Sequence, residues 1–272
     1  MVLLAGRFGR YKEDKLIPLA AAIEIMHMAT LVHDDIIDES ELRRGRPTTR
    51  SRWGNSIAVF TGDFLFTRAF SLITQGVSRK NMHHLSNSIR AICEGEVDQY
   101  QSKFTQEVST LRYLKRIARK TAILFSLSCQ VGAAESNCSQ GTIRFLRKFG
   151  HDFGMAFQIT DDLLDFFGDQ NKVGKPLYTD FMEGVYTLPI IYTMQDDQYK
   201  DRMAQYIGRK DLTESEIQEV GKLVKESGGL ERSQKLALRY LERCHNSLDQ
   251  LPNNAAKGAM QELVEELIKR RH

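Results

Sequence analysis

Leu31-Val32-His33-Asp34-Asp35-Ile36-Ile37-Asp38 and Phe157-Gln158-Ile159-Thr160-Asp161-Asp162-Leu163-Leu164-Asp165 are the stretches that decide how this chain folds. Both contain two adjacent aspartates with a third aspartate three positions later, and both follow apolar residues. Residues four apart on a helix share a face, so the first and last aspartate of each motif point the same way. We therefore predict two long helices, each with a patch of carboxylates.

Carboxylates crowded in this way call for a compensating cation. Like charges at this spacing destabilise a helix by ~0.2–0.5 kcal/mol per pair, and the apolar flanks add a desolvation cost. One such motif alone would suit a solvated helix face or a helix cap, whereas two copies favour a metal site. Oxygen ligands that leave positions open for water and phosphate suit Mg²⁺. The predicted metal ligands are Asp34, Asp38, Asp161 and Asp165, with Asp35 and Asp162 beside them.

Basic residues follow each acidic motif. The segment after the first motif contains Arg43 and Arg44, and the segment after the second contains Lys175. Arginine can make bidentate contacts with phosphate oxygens, and lysine can act as a point charge on the same anion. Lys120 lies beside two arginines, which on its own suits a solvated helix face. Gln158 lies one helical turn before Asp161 and can contact a substrate. The pattern predicts a site for a phosphorylated ligand.

Composition narrows the class of protein. The chain has 272 residues, is 42% hydrophobic and carries a net charge of +3, which fits a globular protein and gives no sign of nucleic-acid binding. Its four cysteines stand far apart without zinc-ligand spacing, as expected for reduced thiols in the cytoplasm. We expect no secretory signal and no membrane span, and at most peripheral membrane contact.

Helical spacing dominates the chain, and no alternating pattern indicates a sheet. We predict an all-α fold of about ten or more helices around a deep central cavity, in one domain over residues 1–272. Leu16–Val32, which has apolar residues on almost every face, is expected to be a buried central helix that begins near Pro18. The remaining predicted helices are Ser56–Ile73, Met82–Phe104, Ser109–Ala134, Thr142–Phe167, Thr179–Met194, Ser215–Glu226, Leu230–Leu248 and Asn254–Lys269.

The two acidic motifs, together with Arg43-Arg44-Gly45, Lys120-Thr121 and Gly174-Lys175-Pro176, resemble the trans-isoprenyl diphosphate synthases. The resemblance covers nearly the whole chain. Within that family, Phe149-Gly150-His151 and Thr187-Leu188-Pro189 resemble the catalytic large component of bacterial two-component hexaprenyl or heptaprenyl diphosphate synthases. The resemblance implies the isoprenoid synthase type of fold.

The resemblance also implies an activity and roles for the site residues. Mg²⁺, as three ions with substrate bound, would bridge an allylic diphosphate, with farnesyl diphosphate as the expected primer. Isopentenyl diphosphate would then add head-to-tail after the allylic C–O bond ionises. His27 and Arg44 would bind isopentenyl diphosphate. The residues expected at the allylic diphosphate or its reacting end are Arg43, Lys120, Thr121, Gln158 and Lys175.

Product length depends on the helix before the first motif. In the family, bulky aromatic residues near this point stop growth early, whereas this chain has the small residues Ala29 and Thr30. One helical turn is about 5.4 Å of depth. We therefore expect a deep tunnel and a medium or long all-trans product of about C30–C35, suited to the side chain of a quinone such as menaquinone.

Family members carry a Gly-Lys-Arg-x-Arg-Pro stretch before the segment that corresponds to Val2-Leu3-Leu4-Ala5-Gly6. The chain is expected to lack this stretch and a first helix, which would weaken the grip on isopentenyl diphosphate. The expected partner is a small regulatory subunit in a hetero-oligomer, or a second copy in a homodimer. Three alternatives remain: an HD-type phosphohydrolase suggested by His33-Asp34, a class I terpene cyclase, and a non-catalytic subunit of a hetero-oligomer.

Overall fold

A computed structural model of the chain describes residues 1–74, 77–167 and 177–269. The predicted all-α class is confirmed, since helices make up most of these residues. The helices are α1 (Val2–Gly6), α2 (Glu13–Ile37), α3 (Thr49–Thr74), α4 (Arg79–Ser102), α5 (Thr110–Ile117), α6 (Ile123–Glu135), α7 (Gln140–Phe167), α8 (Thr179–Met182), α9 (Leu188–Met194), α10 (Lys200–Ala204), α11 (Glu214–Glu226), α12 (Gly229–Asp249) and α13 (Ala255–Lys269).

The chain groups into two compact units. Unit 1 comprises Met1–Leu85 and Ser128–Ile143, and unit 2 comprises Ser86–Leu127 and Arg144–His272. The first aspartate motif belongs to unit 1 and the second to unit 2. The single domain over residues 1–272 stays a prediction.

In unit 1, α2 packs along α3. The buried residues of α2 recur at helical spacing, as in Leu19, Ala22, Met26 and Ala29, so one face of the helix enters the core. The prediction that α2 is buried on all sides is wrong, because Ile17 and Met28 are exposed. The helix also begins earlier than predicted, which places Pro18 inside it rather than in its first turn.

The two long helices meet closely at Gly62 of α3. A Cβ atom at this position would lie 2.2 Å from Nε2 of His33 on α2, so only glycine leaves room for the imidazole. The same imidazole nitrogen lies 3.3 Å from the carbonyl oxygen of Val59. This contact fixes α3 against the turn of α2 that directly precedes Asp34.

Two helices are apolar and long enough to span a membrane when judged by length and composition alone. They are α2 and α3, so the expectation of no membrane span gains no support from helix length and composition. A core helix of a soluble protein can have the same length and composition, but such a helix is mostly buried, whereas 33% of the apolar window of α2 and 22% of that of α3 is buried.

In unit 2, two predicted helices are divided. A π-helical turn, Ala118–Ala122, separates α5 from α6. The predicted helix over residues 179–194 is split into α8 and α9, because Gly184 has φ = 75° and lies too close to Phe104 for a side chain. Downstream, α9 and α11 pack against α12. A capping box between Thr213 and Glu216 starts α11.

Candidate active site

The first aspartate motif occupies the last turn and the cap of α2. Asp35 is buried, while Asp34 and Asp38 are half-buried. Asp38 forms the C-cap, and its backbone N–H donates to the carbonyl oxygen of Asp34 at 2.8 Å. The C-terminal end of a helix carries partial negative charge, so carboxylates are disfavoured there. A cation at this end would offset both the dipole and the clustered carboxylates.

One arginine of the following loop is held against this motif. Arg43 Nε donates to Asp35 Oδ1 at 2.8 Å. Arg43 lies in a two-stranded hairpin, Leu42–Arg43 paired with Arg46–Pro47, that the sequence pattern did not predict. The turn places Arg44 and Gly45 at φ = 51° and 74°, as a two-residue hairpin turn with positive φ requires. Arg44 is thereby exposed at the tip.

His27 lies near the same two arginines. Burial lowers the pKa of His27, the charges of Arg43 and Arg44 lower it further, and Glu24 opposes them. A lowered pKa favours the neutral imidazole at pH 7, which can donate one hydrogen bond without adding charge. His27, Arg43 and Arg44 are therefore close enough in unit 1 for their charges to interact, and their roles in substrate binding stay predictions.

The two residues expected to set product length differ in exposure. Ala29 has no exposed surface, whereas Thr30 is half-buried and donates its hydroxyl hydrogen to the carbonyl oxygen of His27 at 2.7 Å. A ligand tail would reach Ala29 only if neighbouring side chains moved. The role of both residues stays a prediction.

In the second motif, on α7, one of the two adjacent aspartates lies at the surface and the other lies in the interior. Asp161 is exposed and Asp162 is buried. Asp162 accepts hydrogen bonds from the Tyr113 hydroxyl at 2.6 Å and from Gln158 Nε2 at 2.7 Å. Burial raises the pKa of Asp162 to about 6, although both hydrogen bonds act to lower it. Asp162 is therefore anchored inward, and Asp161 faces outward.

The third aspartate of this motif caps the short helix α8. Asp165 accepts from the backbone N–H groups of Thr179 and Asp180 at 3.0 and 3.3 Å. Burial raises the pKa of Asp180 well above its usual range, and the charges of Asp162 and Asp165 raise it further. Asp180 thus adds a fourth carboxylate to the acidic cluster, and a cation would fit the negative charge that accumulates there.

Lys120 and Thr121 lie in the π-helical turn between α5 and α6. Such turns are rare and recur at functional sites. Lys120 Nζ donates to Glu96 Oε2 at 2.8 Å, and the Thr121 hydroxyl donates to Gln158 Oε1 at 2.6 Å. Together with the bonds to Asp162, this forms a continuous network from Thr121 through Gln158 and Asp162 to Tyr113. Of the predicted residues of unit 2, the network joins Thr121, Gln158 and Asp162.

Two parts of the predicted site are not joined by these contacts. Lys175 lies outside the described residues, and the residues of units 1 and 2 form two separate sets here. Within residues 1–74, 77–167 and 177–269, no three His, Cys, Asp or Glu side chains are grouped so that they alone could hold a metal ion. A cation at either motif would therefore also take ligands from water or phosphate oxygens, as Mg²⁺ commonly does.

Sequence reasoning missed three residues of unit 2. Tyr113, Glu96 and Asp180 belong to no repeated motif, so spacing alone gave no sign of them. Tyr113 lies seven residues before Lys120, two helical turns away, and this spacing is the signal that could have suggested a shared face.

Comparison with known proteins places this geometry in a family. The sequence model of the polyprenyl synthetase family matches residues 1–224. Heptaprenyl diphosphate synthase component 2 from Geobacillus stearothermophilus is 40% identical over 97% of this chain and 82% of its own length.

Solved structures agree with the sequence matches. Heptaprenyl diphosphate synthase from Staphylococcus aureus superposes with a TM-score of 0.94 at 34% identity, covering 100% of this chain and 86% of that chain. A polyprenyl synthase from Caulobacter crescentus, solved in complex with calcium and isoprenyl diphosphate, gives a TM-score of 0.91 at 35% identity over 100% of this chain and 83% of that chain. The predicted isoprenoid synthase fold is confirmed, and the chain belongs to the polyprenyl synthetase family.

Proposed function

We propose that this chain condenses isopentenyl diphosphate head-to-tail with an allylic diphosphate in a Mg²⁺-dependent reaction. The observation that carries the proposal is the hydrogen-bonded network of Thr121, Gln158 and Asp162 beside the exposed Asp161. It holds polar side chains in fixed orientations at the second of two identical acidic motifs. Fixed orientation of the groups that position a substrate is a main source of catalytic rate.

The donor set at each motif fits divalent metal. Asp34 and Asp38 in unit 1, and Asp161 and Asp165 in unit 2, would hold Mg²⁺, three ions being expected with substrate bound. Bound Mg²⁺ would neutralise the negative charge that develops on the departing diphosphate. The Caulobacter crescentus relative solved with calcium and isoprenyl diphosphate supports a divalent cation at this fold.

The remaining side chains would hold the substrates. The guanidinium groups of Arg43 and Arg44 suit phosphate oxygens, and the ammonium groups of Lys120 and Lys175 add positive charge. A neutral His27 would donate a hydrogen bond to isopentenyl diphosphate without adding a positive charge to the site. Glu96, which holds the Lys120 ammonium at 2.8 Å, would keep that group in place before substrate arrives.

The reaction then needs ionisation of the allylic C–O bond with water excluded. Positive side chains around the leaving diphosphate favour this ionisation. The double bond of isopentenyl diphosphate attacks the allylic cation, a C–C bond forms, and a proton leaves the adjacent carbon. Proton loss to the released diphosphate balances the cycle.

Product length follows from the relatives and from the small residues Ala29 and Thr30. Relatives from Geobacillus stearothermophilus and Staphylococcus aureus are heptaprenyl diphosphate synthases by name. We infer an all-trans product of about C30–C35. Small residues at positions 29 and 30 would let the product tail pass further along α2, and each helical turn adds about 5.4 Å of depth. A product of this length suits the side chain of a quinone, and we propose a cytoplasmic location for the enzyme.

We infer that a second, different chain docks on α3. Ile57, Phe60 and Phe64 recur along one face of that helix, and Phe60 is 70% exposed. Apolar faces of this kind mark protein interfaces. The Geobacillus stearothermophilus relative is named as component 2 of its synthase, which supports a small regulatory subunit as the occupant.

Incubation with farnesyl diphosphate, isopentenyl diphosphate and Mg²⁺, with and without a candidate small subunit, tests the proposed function. Elongation to a polyprenyl diphosphate supports it. Diphosphate release with a hydrocarbon product would instead indicate a terpene cyclase. An absence of turnover even with the small subunit would indicate a non-catalytic role.

A further inference from the structure

A cleft of about 380 Å³ lies in unit 2 beside α5. Small-molecule sites commonly begin at about 300 Å³. Four basic side chains line the cleft, and all come from α5 and the π-helical turn. They are Arg112, Lys115, Arg116 and Arg119.

The spacing of these residues places their charges on one side. Positions 112, 115, 116 and 119 recur at the three- and four-residue intervals of a single helix face. Two acidic residues, Asp98 and Glu107, also line the cleft, which leaves a surplus of two positive charges. Like charges on one face destabilise a helix unless an anion compensates them.

The acidic residues compensate only the two ends of this row. Arg119 Nη1 lies 2.7 Å from Asp98 Oδ2, and Arg112 Nη1 lies 2.8 Å from Glu107 Oε2. In the middle, the Arg116 guanidinium donates to the neutral carbonyl oxygen of Tyr186 at 3.1 Å and sits 5.4 Å from the centre of the Tyr113 ring. The charge of Arg116 also interacts with that of the buried Asp162, so the positive surplus of the cleft is partly offset at this residue.

We propose that this cleft binds a diphosphate anion at a second site, separate from the aspartate motifs. Guanidinium groups match the paired oxygens of phosphate groups. The Tyr113, Tyr186 and Ile191 side chains in the wall are buried. The guanidinium groups favour recognition of the diphosphate group itself, whether free as inorganic pyrophosphate or carried by an isoprenyl ester.

Binding of an anion in the cleft would affect the second aspartate motif through two neighbouring contacts. Tyr113 presents its ring to Arg116 and its hydroxyl to Asp162. Arg119 in the cleft directly precedes Lys120, and the two pair with Asp98 and Glu96 of α4, respectively. An anion that draws Arg116 and Arg119 toward itself would displace the neighbouring Tyr113 and Lys120. The bound diphosphate would therefore slow elongation. This effect rests on the proposed function, whereas the binding does not.

Hydrogen exchange of the metal-free protein with inorganic pyrophosphate tests the binding. We expect protection of residues 105–119, with affinity from calorimetry falling about tenfold in the Arg112→Gln/Lys115→Gln variant, as loss of two nearby charges predicts. Both residues are exposed, so folding should be preserved. Glu107→Gln, which frees Arg112, should tighten binding. The matched control, Arg147→Gln/Lys148→Gln, removes the same charges from exposed positions on α7 outside the cleft.

The same measurement with farnesyl diphosphate separates the two sources. Equal affinity assigns the site to the diphosphate group, and tighter binding assigns it to an isoprenyl ester. Lack of protection at residues 105–119 with both ligands overturns the proposal, as does equal weakening in the two double variants. Protection of residues 105–119 in a chain that shows no elongation in any assay would contradict the proposed function and leave the binding proposal intact.

Discussion

The hydroxyl of Tyr113 donates a hydrogen bond to Oδ2 of Asp162 over 2.6 Å, and both side chains are buried. This bond joins α5 to α7 within unit 2. It orients Asp162 inward, while its neighbour Asp161 is exposed. The adjacent aspartates of this motif therefore differ in position: Asp162 secures the helix from the interior, and Asp161 lies at the surface.

Replacement of Tyr113 by Phe should weaken both stability and activity. The change removes one of two described donors to a buried carboxylate, which costs roughly 1–3 kcal/mol of unfolding free energy. Loss of orientation at the motif should lower kcat for elongation by roughly tenfold to a hundredfold. Denaturant unfolding and steady-state kinetics measure the two effects. Tyr100→Phe, at an exposed position on α4, serves as control; an equal loss in both variants would contradict the assigned role.

The raised pKa of Asp162 predicts a pH dependence of stability in metal-free protein. Its pKa is about 6 in the folded chain, against an ordinary 3.8. The folded state therefore binds the proton more tightly, so this contribution is complete below about pH 4 and is lost as pH rises through about 6. Unfolding in EDTA across this range should show stability falling with pH, and Asp162→Asn should flatten the slope. An unchanged slope in the variant would assign the effect to other groups.

The residues of the site were predictable where they repeat or sit next to a repeat. Both aspartate motifs stood out because like charges at helical spacing need a reason, and Arg43 stood out because it follows one of them. Lys120 and Thr121 were named as site residues only through the family resemblance. The inward turn of Asp162 was not predictable, since it depends on Tyr113 from a helix far away in sequence. The sequence pattern alone gives Asp161 and Asp162 the same role, whereas the packing of Tyr113 against Asp162 makes their positions different.

The fold was predictable in class but not in its interruptions. Apolar periodicity located the long helices, yet it merged α8 with α9 and α5 with α6. The first break depends on contact between Gly184 and Phe104, and the second on a π-helical turn. The hairpin at Arg44-Gly45 escaped notice because two-residue strands leave no alternating pattern. Such features depend on tertiary contacts and on single backbone angles.

Ala29→Phe and Thr30→Phe should shorten the product, because an aromatic ring would obstruct a tail running along α2. Ala29 is fully buried, so its variant should also lose roughly 1–3 kcal/mol of stability through overpacking. Thr30 is half-buried and should show the shortening with less strain. Mass analysis of the products measures chain length, with Met28→Phe at an exposed position as control. Unchanged length in both test variants would show that the tail follows another path.

Phe60→Glu/Phe64→Glu should abolish association with the small subunit, because the change places two charges on the exposed apolar face of α3. Light scattering of the mixed chains measures the association. Leu238→Glu, at a partly exposed apolar position on α12, should leave it intact. A heteromer that persists in the double variant would show that the small subunit binds elsewhere. Loss of a homodimer, with the heteromer intact, would identify a second copy of this chain as the partner that covers the α3 face.

The central claim is that each aspartate motif binds divalent cations together with a substrate diphosphate. Anomalous scattering from crystals grown with Mn²⁺ and farnesyl thiodiphosphate tests it directly. We expect metal peaks about 2.0–2.6 Å from carboxylate oxygens of Asp34 and Asp38, and likewise from those of Asp161 and Asp165. Metal at only one motif, or a diphosphate bound away from both, would contradict the account.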